Sequence, residues 1–210
     1  MARTSNPLIG HSRNKIGGVV FSSWKGINTL RESPASVANP QTDGQVSQRS
    51  AMRQIVALAR IVLFALETSF RERAVQMSQF NAFVKANLPH AFTKSGAAAT
   101  FVPANLIAAQ GTLTGFEDLG FVSLTGRDLA FDWVDNTGGS GANASDAVRA
   151  MVVSADGLNA ADLDAAATRS DEGGGVTIPG SWSLTGARAA VYFVQADGSR
   201  ASDSENIATA

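Results

Sequence analysis

The first forty-odd residues read as a strand-forming arm that cannot fold by itself. The runs 17–24 (GGVVFSSW) and 27–31 (INTLR) flank Lys25-Gly26 and carry aromatic and β-branched residues on a pleated period. A lone two-stranded hairpin is marginal in water. These strands therefore need a sheet to join, either in the same chain or in a neighbouring copy. That requirement points to an assembly protein rather than an enzyme.

Composition sets the limits around the arm. The 210 residues have room for one large or two small domains, and 44% hydrophobic content is that of ordinary globular material. There is no cysteine, which excludes disulfides and thiolate metal sites. No apolar segment follows Met1-Ala2-Arg3-Thr4-Ser5-Asn6-Pro7, so no secretory signal is expected, and a protein acting outside a cell would leave by lysis or within a particle. The charge is strongly polarised. Residues 1–94 hold 12 Lys/Arg against 4 Asp/Glu (net +8), whereas residues 95–210 hold 5 against 14 (net −9). Such a split permits head-to-tail attraction between copies or a basic face turned to nucleic acid.

After Asn39-Pro40-Gln41-Thr42-Asp43-Gly44, a single helix is expected from about 45 to 70. Its middle, residues 55–66, is apolar nearly all round and interrupted only by Arg60, so it calls for burial on more than one side. A membrane span needs about 20 predominantly apolar residues, which this segment lacks. An ordinary core helix is the simpler reading and a membrane-interfacial helix the other. A second amphipathic helix is expected over 77–87, with Phe80, Phe83, Val84 and Leu88 on one face and Pro89 ending it.

From about residue 100 the pattern changes to short strands punctuated by Gly, Asn and Asp. Strands are expected at 101–108, 119–124, 128–134, 147–154, 175–178, 187–196 and 204–208. The fold class is thus α+β: a β-hairpin arm (1–44), a two-helix segment (45–93) and an antiparallel β-sandwich (94–210) whose cadence resembles a fibronectin type III or immunoglobulin-like module. Trp133 and Trp182 are expected as core anchors, with sugar stacking the alternative.

The arm run 17–31, followed by Pro34, Asn39-Pro40-Gln41-Thr42 and Gln48-Arg49, resembles the N-terminal signature of an uncharacterised protein family common in Bacteroidota. A looser version of the signature is similar to proteins of tailed-phage gene clusters. The likeness covers nearly the whole chain. It departs from the family pattern before Ser22, where that pattern has Gly, and near Thr29. The resemblance implies a structural role, in a virion among other settings, and transfers no catalytic residue.

Sequence motifs for chemistry are sparse. His11 and His90 have no sequence neighbour suited to a triad or a zinc site, and the glycine clusters at 17–18 and 138–141 lack the strand-to-helix context of a phosphate loop. Asp132, Asp135, Asn136 and Asp146 could gather round calcium if their loops converge, although their spacing is not that of an EF-hand. Asp162, Asp164, Asp171 and Glu172 read as solvated loop charges. Asn143-Ala144-Ser145 formally matches a glycosylation sequon. Arg3, Arg13, Lys15, Lys25 and Arg31 in the arm, with Arg49, Arg53, Arg60, Arg71 and Arg73 beyond it, lack a nucleic-acid reader motif, so an acidic protein partner is preferred.

These observations predict a non-enzymatic, self-assembling structural protein of a phage virion or of an extracellular tube or filament, made in the cytoplasm. No catalytic, cofactor or metal residues are assigned. The expected assembly interface comprises Val19, Phe21, Trp24, Ile27 and Leu30 in the arm, joining a neighbour by strand addition, and Ile55, Ile61 and Phe64 on the helix. Partners are copies of itself in a ring or a helix, and other virion proteins. The alternative is a cell-surface or glycan-binding module carried on an oligomerising N-terminal base.

Overall fold

The computed structural model describes residues 2–3, 14–24, 27–36, 38–138 and 141–208. The expected Lys25-Gly26 turn and His11 lie outside the described residues, as does the side chain of Trp24. The chain divides into two compact units, Met1–Pro40 and Gln41–Ala210.

The first unit is a four-stranded antiparallel sheet. Strands β1 (Ala2–Arg3), β2 (Asn14–Ile16), β3 (Val19–Trp24) and β4 (Ile27–Glu32) lie in the order β1-β4-β3-β2. The two strands expected from sequence are thus joined by two short outer ones. Gly17, at φ 58°, makes the tight turn between β2 and β3 without the steric cost a Cβ would carry. Pairing of Phe21 with Leu30 and of Val19 with Glu32 puts Val19, Phe21 and Leu30 on one face. Ile27, which pairs with Trp24, falls on the other. Val19, Val20, Phe21 and Leu30 are half-buried and Ile27 is exposed.

In the second unit, helix α1 (Asp43–Ile61) starts after the extended Thr42, with Asp43 in the first turn where the helix dipole favours a carboxylate. The expected single helix is broken. Val62 leaves helical geometry (φ −98°, ψ 19°), and α2 (Leu63–Ser69) begins behind it. The adjacent β-branched pair Ile61-Val62 crowds the preceding turn, and a tightened Ala65 N–H to Val62 carbonyl bond of 3.0 Å closes the junction. Helix α3 (Gln79–Asn87) is capped by Ser78, whose hydroxyl accepts from the Asn81 amide.

The strands β5 (Phe92–Ser95) and β6 (Ala98–Phe101) form a hairpin. Strands β7 (Glu117–Thr125), β8 (Asp128–Val134) and β11 (Gly173–Thr177) form a sheet in the order β11-β8-β7. Strands β9 (Ala147–Val153), β10 (Ala160–Thr168), β12 (Arg188–Val194) and β13 (Glu205–Ala208) form another in the order β10-β9-β12-β13. These strands pair antiparallel throughout, and the chain is α+β. The expected strand at 101–108 ends at its first residue, because Pro103 lacks an amide donor and starts a 3-10 turn at Pro103–Asn105. Strand β10 was not expected. Its DLDAAA run lacks the branched and aromatic residues that mark a strand.

The four-stranded sheet is apolar on both faces. Val148, Ala150, Val152, Ala189, Val191 and Phe193 share a core with Leu129, Phe131, Trp133 and Val176 of the three-stranded sheet. The alternate residues Met151, Val153, Ala190, Tyr192 and Val194 share a second core with Ile55, Leu58, Leu66, Phe70 and Phe83 of the helical part. This second core draws on residues from both sides of the expected 93/94 division.

Candidate functional site

On α1 the residues Ala51, Ile55, Leu58 and Ala59 are buried, and α2 continues the stripe with Ala65 and Leu66. Their spacing of three and four lays them along one side facing the sheet. The outer side of α1 is largely polar, with Gln45, Gln48, Arg49, Arg53 and Arg60 exposed, but apolar residues are exposed around the junction with α2. Ile61 is 47% exposed, Leu63 45% and Phe64 86%, with Met52 further back on the same helix at 43%. Arg53 and Arg60 stand among them. Of the three helical interface residues expected from sequence, Ile55 is thus spent within its own chain, since a fully buried side chain cannot reach a partner. Ile61 and Phe64 are available.

A cavity of about 300 Å³ lies beside them, lined by Ile61, Phe64, Thr68, Arg149 and Asp162. Its polar wall is built by the four-stranded sheet. Arg149 and Tyr192 are cross-strand partners, and Asp162 reaches both. The Arg149 Nε donates to Asp162 Oδ2 at 2.9 Å, and the Tyr192 hydroxyl donates to Asp162 Oδ1 at 2.6 Å. Burial pushes the Tyr192 phenol well above its ordinary value, and the Asp162 carboxylate adds to the shift, so Tyr192 is a fixed proton donor. Burial alone would lower Arg149, but the charge of Asp162 reverses this and holds the guanidinium firmly cationic. Asp162 is therefore engaged rather than a solvated loop charge. The chain's one tyrosine, set in an apolar run, was the signal for such a partner.

The residues considered for calcium meet a different cation. Arg169 is completely buried, and its Nε donates to Asp146 Oδ2 at 3.1 Å, its NH2 to the Thr114 carbonyl at 2.7 Å, and its NH1 to Asn136 Oδ1. The guanidinium also lies 3.8 Å from the Phe193 ring centroid. Thr168-Arg169-Ser170-Asp171 positions it: the Thr168 amide and hydroxyl donate to Asp171 Oδ2, locking the turn and holding Asp171 below the usual carboxylate range. Asp135 instead accepts from the Thr137 amide, and Asp132 packs against Gly120. Sequence spacing brought Asn136 and Asp146 into consideration but gave no sign that an arginine would stand between them.

Trp133 is buried, and its indole N–H donates to the Arg169 carbonyl at 2.8 Å. Gly174 leaves room for it, since a Cβ there would meet the ring at 3.3 Å. Trp182 is partly buried, with Arg127 over its ring. The Trp133 indole is thus a core anchor, as expected, and Trp182 packs against the same core. His90 is exposed at the end of the α3 turn. In the arm, Val19, Phe21 and Leu30 share one sheet face while Ile27 lies on the other, so the strand residues expected to act together divide between two surfaces.

No helix among the described residues is long and apolar enough to cross a membrane. No curated protein and no solved structure matches the chain. Residues 10–208 match the model of a family of unknown function, DUF6266, and the chain belongs to that family.

Proposed function

We propose that this member of DUF6266 is a non-enzymatic structural protein that assembles with copies of itself, using the outer side of α1 and α2 together with the arm. The observation that carries this reading is Phe64. It is 86% exposed beside Ile61 and Leu63 on a helix whose inner side already fills a core. Single exposed apolar residues are ordinary, but a contiguous group of them beside a cavity marks a contact surface. The charge division supports a second copy as occupant, because Arg53 and Arg60 on the helix are of opposite sign to the surplus carboxylates of residues 95–210.

In the arm, a sheet with an apolar face that is only half-buried calls for a covering layer. Among the described residues β2 stands at the edge of the sheet, paired with Val19, Val20 and Phe21 of β3, and a neighbour's strand is proposed to extend this ladder. The four-stranded and three-stranded sheets of the second unit, with a common core between them, support reading their strands as an antiparallel sandwich of the fibronectin type III or immunoglobulin kind. The assembly is proposed to be a phage virion component or an extracellular tube or filament, on the likeness of the arm signature to Bacteroidota proteins and to tailed-phage gene clusters.

Sedimentation velocity with electron microscopy tests this. The wild-type chain should form rings, tubes or smaller closed oligomers at micromolar concentration. Burying one Phe contributes about 1.5–3 kcal/mol, so Phe64→Ser should weaken association about tenfold or more without altering the fold. A wild-type chain that stays monomeric, or a Phe64→Ser variant that assembles equally well, would defeat the proposal.

A further inference from the structure

A second cavity, of about 320 Å³, lies between α3 and the segments packed against it, away from any role assigned above. Its apolar floor is made by Met77, Ala82, Ala86 and Ile107, and its polar groups are Arg73, Lys85, His90 and Gln110. No carboxylate lines it. Among the described residues none of the three basic side chains forms an ion pair.

The three basic groups converge from separate places. Lys85 is in the last turn of α3, His90 follows Pro89, and Arg73 comes from the connection between α2 and α3. The helix dipole accounts for a cation at the end of α3, an effect worth a few tenths to about 1 kcal/mol. It does not account for Arg73, which is on no helix. The neighbouring acid, Glu72, does not line the cavity, and its carboxylate is turned to the amide of Thr112 at 3.0 Å and to the Thr112 hydroxyl.

The walls are also fixed. Fully buried Asn87 donates to the carbonyls of Phe83 at 3.1 Å and Ile107 at 2.9 Å and accepts from the Ile107 amide at 2.8 Å, tying the floor to the end of α3. The Gln110 amide is anchored to the Ser69 carbonyl at 3.0 Å. Arg73 and Lys85 bring like charges to one apolar concavity whose lining holds no carboxylate. A cleft near the lower end of the ligand-pocket range, about 300–1,000 Å³, with few convergent polar groups has the form of a small-molecule site.

We infer that this cavity binds a small amphipathic organic anion, with a carboxylate or phosphate head between Arg73 and Lys85 and an apolar body on the Met77 and Ile107 floor. The inference stands independently of self-assembly. Equilibrium dialysis of the full chain against radiolabelled octanoate and phenyl phosphate tests it in any oligomeric state, with octanol and inorganic phosphate as controls. Saturable binding of at least one organic anion is expected, about tenfold tighter than either control. Which of the two binds better identifies the head group. Arg73→Gln with Lys85→Gln, both at exposed positions, should weaken binding about tenfold or more, while Lys85→Arg should retain it. The absence of saturable binding by both organic anions, equal binding by the double variant, or equal binding of octanol would overturn the inference.

Discussion

Removing the buried Arg169 guanidinium should be the most damaging single change in the second unit. Arg169→Ala leaves Asp146 completely buried with only the Asn143 amide, at 2.9 Å, on Oδ2, while Oδ1 has no hydrogen-bond partner even in the native chain. Breaking a buried ion pair from one side costs about 3–5 kcal/mol, because the remaining charge is uncompensated. The Thr114 carbonyl loses a donor as well, and Asn136 loses its charged one, so the expected loss is at the upper end, about 5 kcal/mol. Against a typical total of about 5–15 kcal/mol this brings the unit close to unfolding at room temperature. Arg169→Met with Asp146→Leu removes both charges and should recover about 2 kcal/mol or more of the loss. Urea unfolding at one fixed protein concentration, followed by tryptophan fluorescence, reads this directly, since Trp133 donates to the Arg169 carbonyl. A loss below about 1 kcal/mol for Arg169→Ala, or effects of the two sites that add within about 0.5 kcal/mol, would refute the reasoning.

Deleting residues 1–34 should leave a folded second unit but lower the assembly state seen by sedimentation, and equal assembly by the truncated chain would remove the arm from the interface. Trp133→Ala should destabilise by about 3–5 kcal/mol, measured by thermal melting, because its indole is buried between two sheets. Light scattering after dilution into about 0.05 or 0.5 M salt should show slower association at the higher value, since screening weakens steering between the basic and acidic parts; equal rates would mean that they do not face each other. Glu72 and Asp156 are both held below their ordinary values of 4.5 and 3.8, Asp156 by the Ser154 hydroxyl and the Leu158 amide, and Glu72 by Thr112 against the opposing effect of burial. Protons therefore bind the unfolded chain first on acidification, so their stabilisation, complete at neutral pH, should disappear as pH falls from those ordinary values through the lower folded ones. Glu72→Gln and Asp156→Asn together should flatten that acid limb, and an unchanged limb would speak against it.

The legibility of this chain follows the kind of signal each element carries. Strand β8 spans the expected 128–134 because Leu129, Phe131 and Trp133 alternate with outward residues. A helix was expected here from its apolar middle, which read as apolar nearly all round, but neither the single buried stripe of α1 nor the break at Val62 was legible in that run. β10 escaped notice because it contributes small alanines and takes its place through pairing with β9, a tertiary effect. On the outer side of the helices, Ile61 and Phe64 stand out as apolar excess. Ile55 carries the same signal, and only packing tells a filled position from an open one. The polar clusters were least accessible, since Arg149 and Asp162 are joined across strands and Arg169 gathers polar groups from three separate segments.

A sheet with oil on both sides gives up the usual guard against sliding. In most half-solvated strands a slip of one residue throws greasy side chains into water, and the penalty holds the alignment. Here Ala189, Val191 and Phe193 could change places with Ala190, Tyr192 and Val194 and still find apolar surroundings. What distinguishes the true alignment is a handful of oxygens. The Tyr192 hydroxyl meets Asp162 in one alignment and would be pressed unpartnered against Trp133 and Phe131 in the other. The Phe193 amide finds the Ser202 hydroxyl at 2.9 Å in that same alignment. These few polar contacts act as index pins for strands whose hydrophobic residues would accept either setting, so their contribution is to uniqueness of pairing more than to strength.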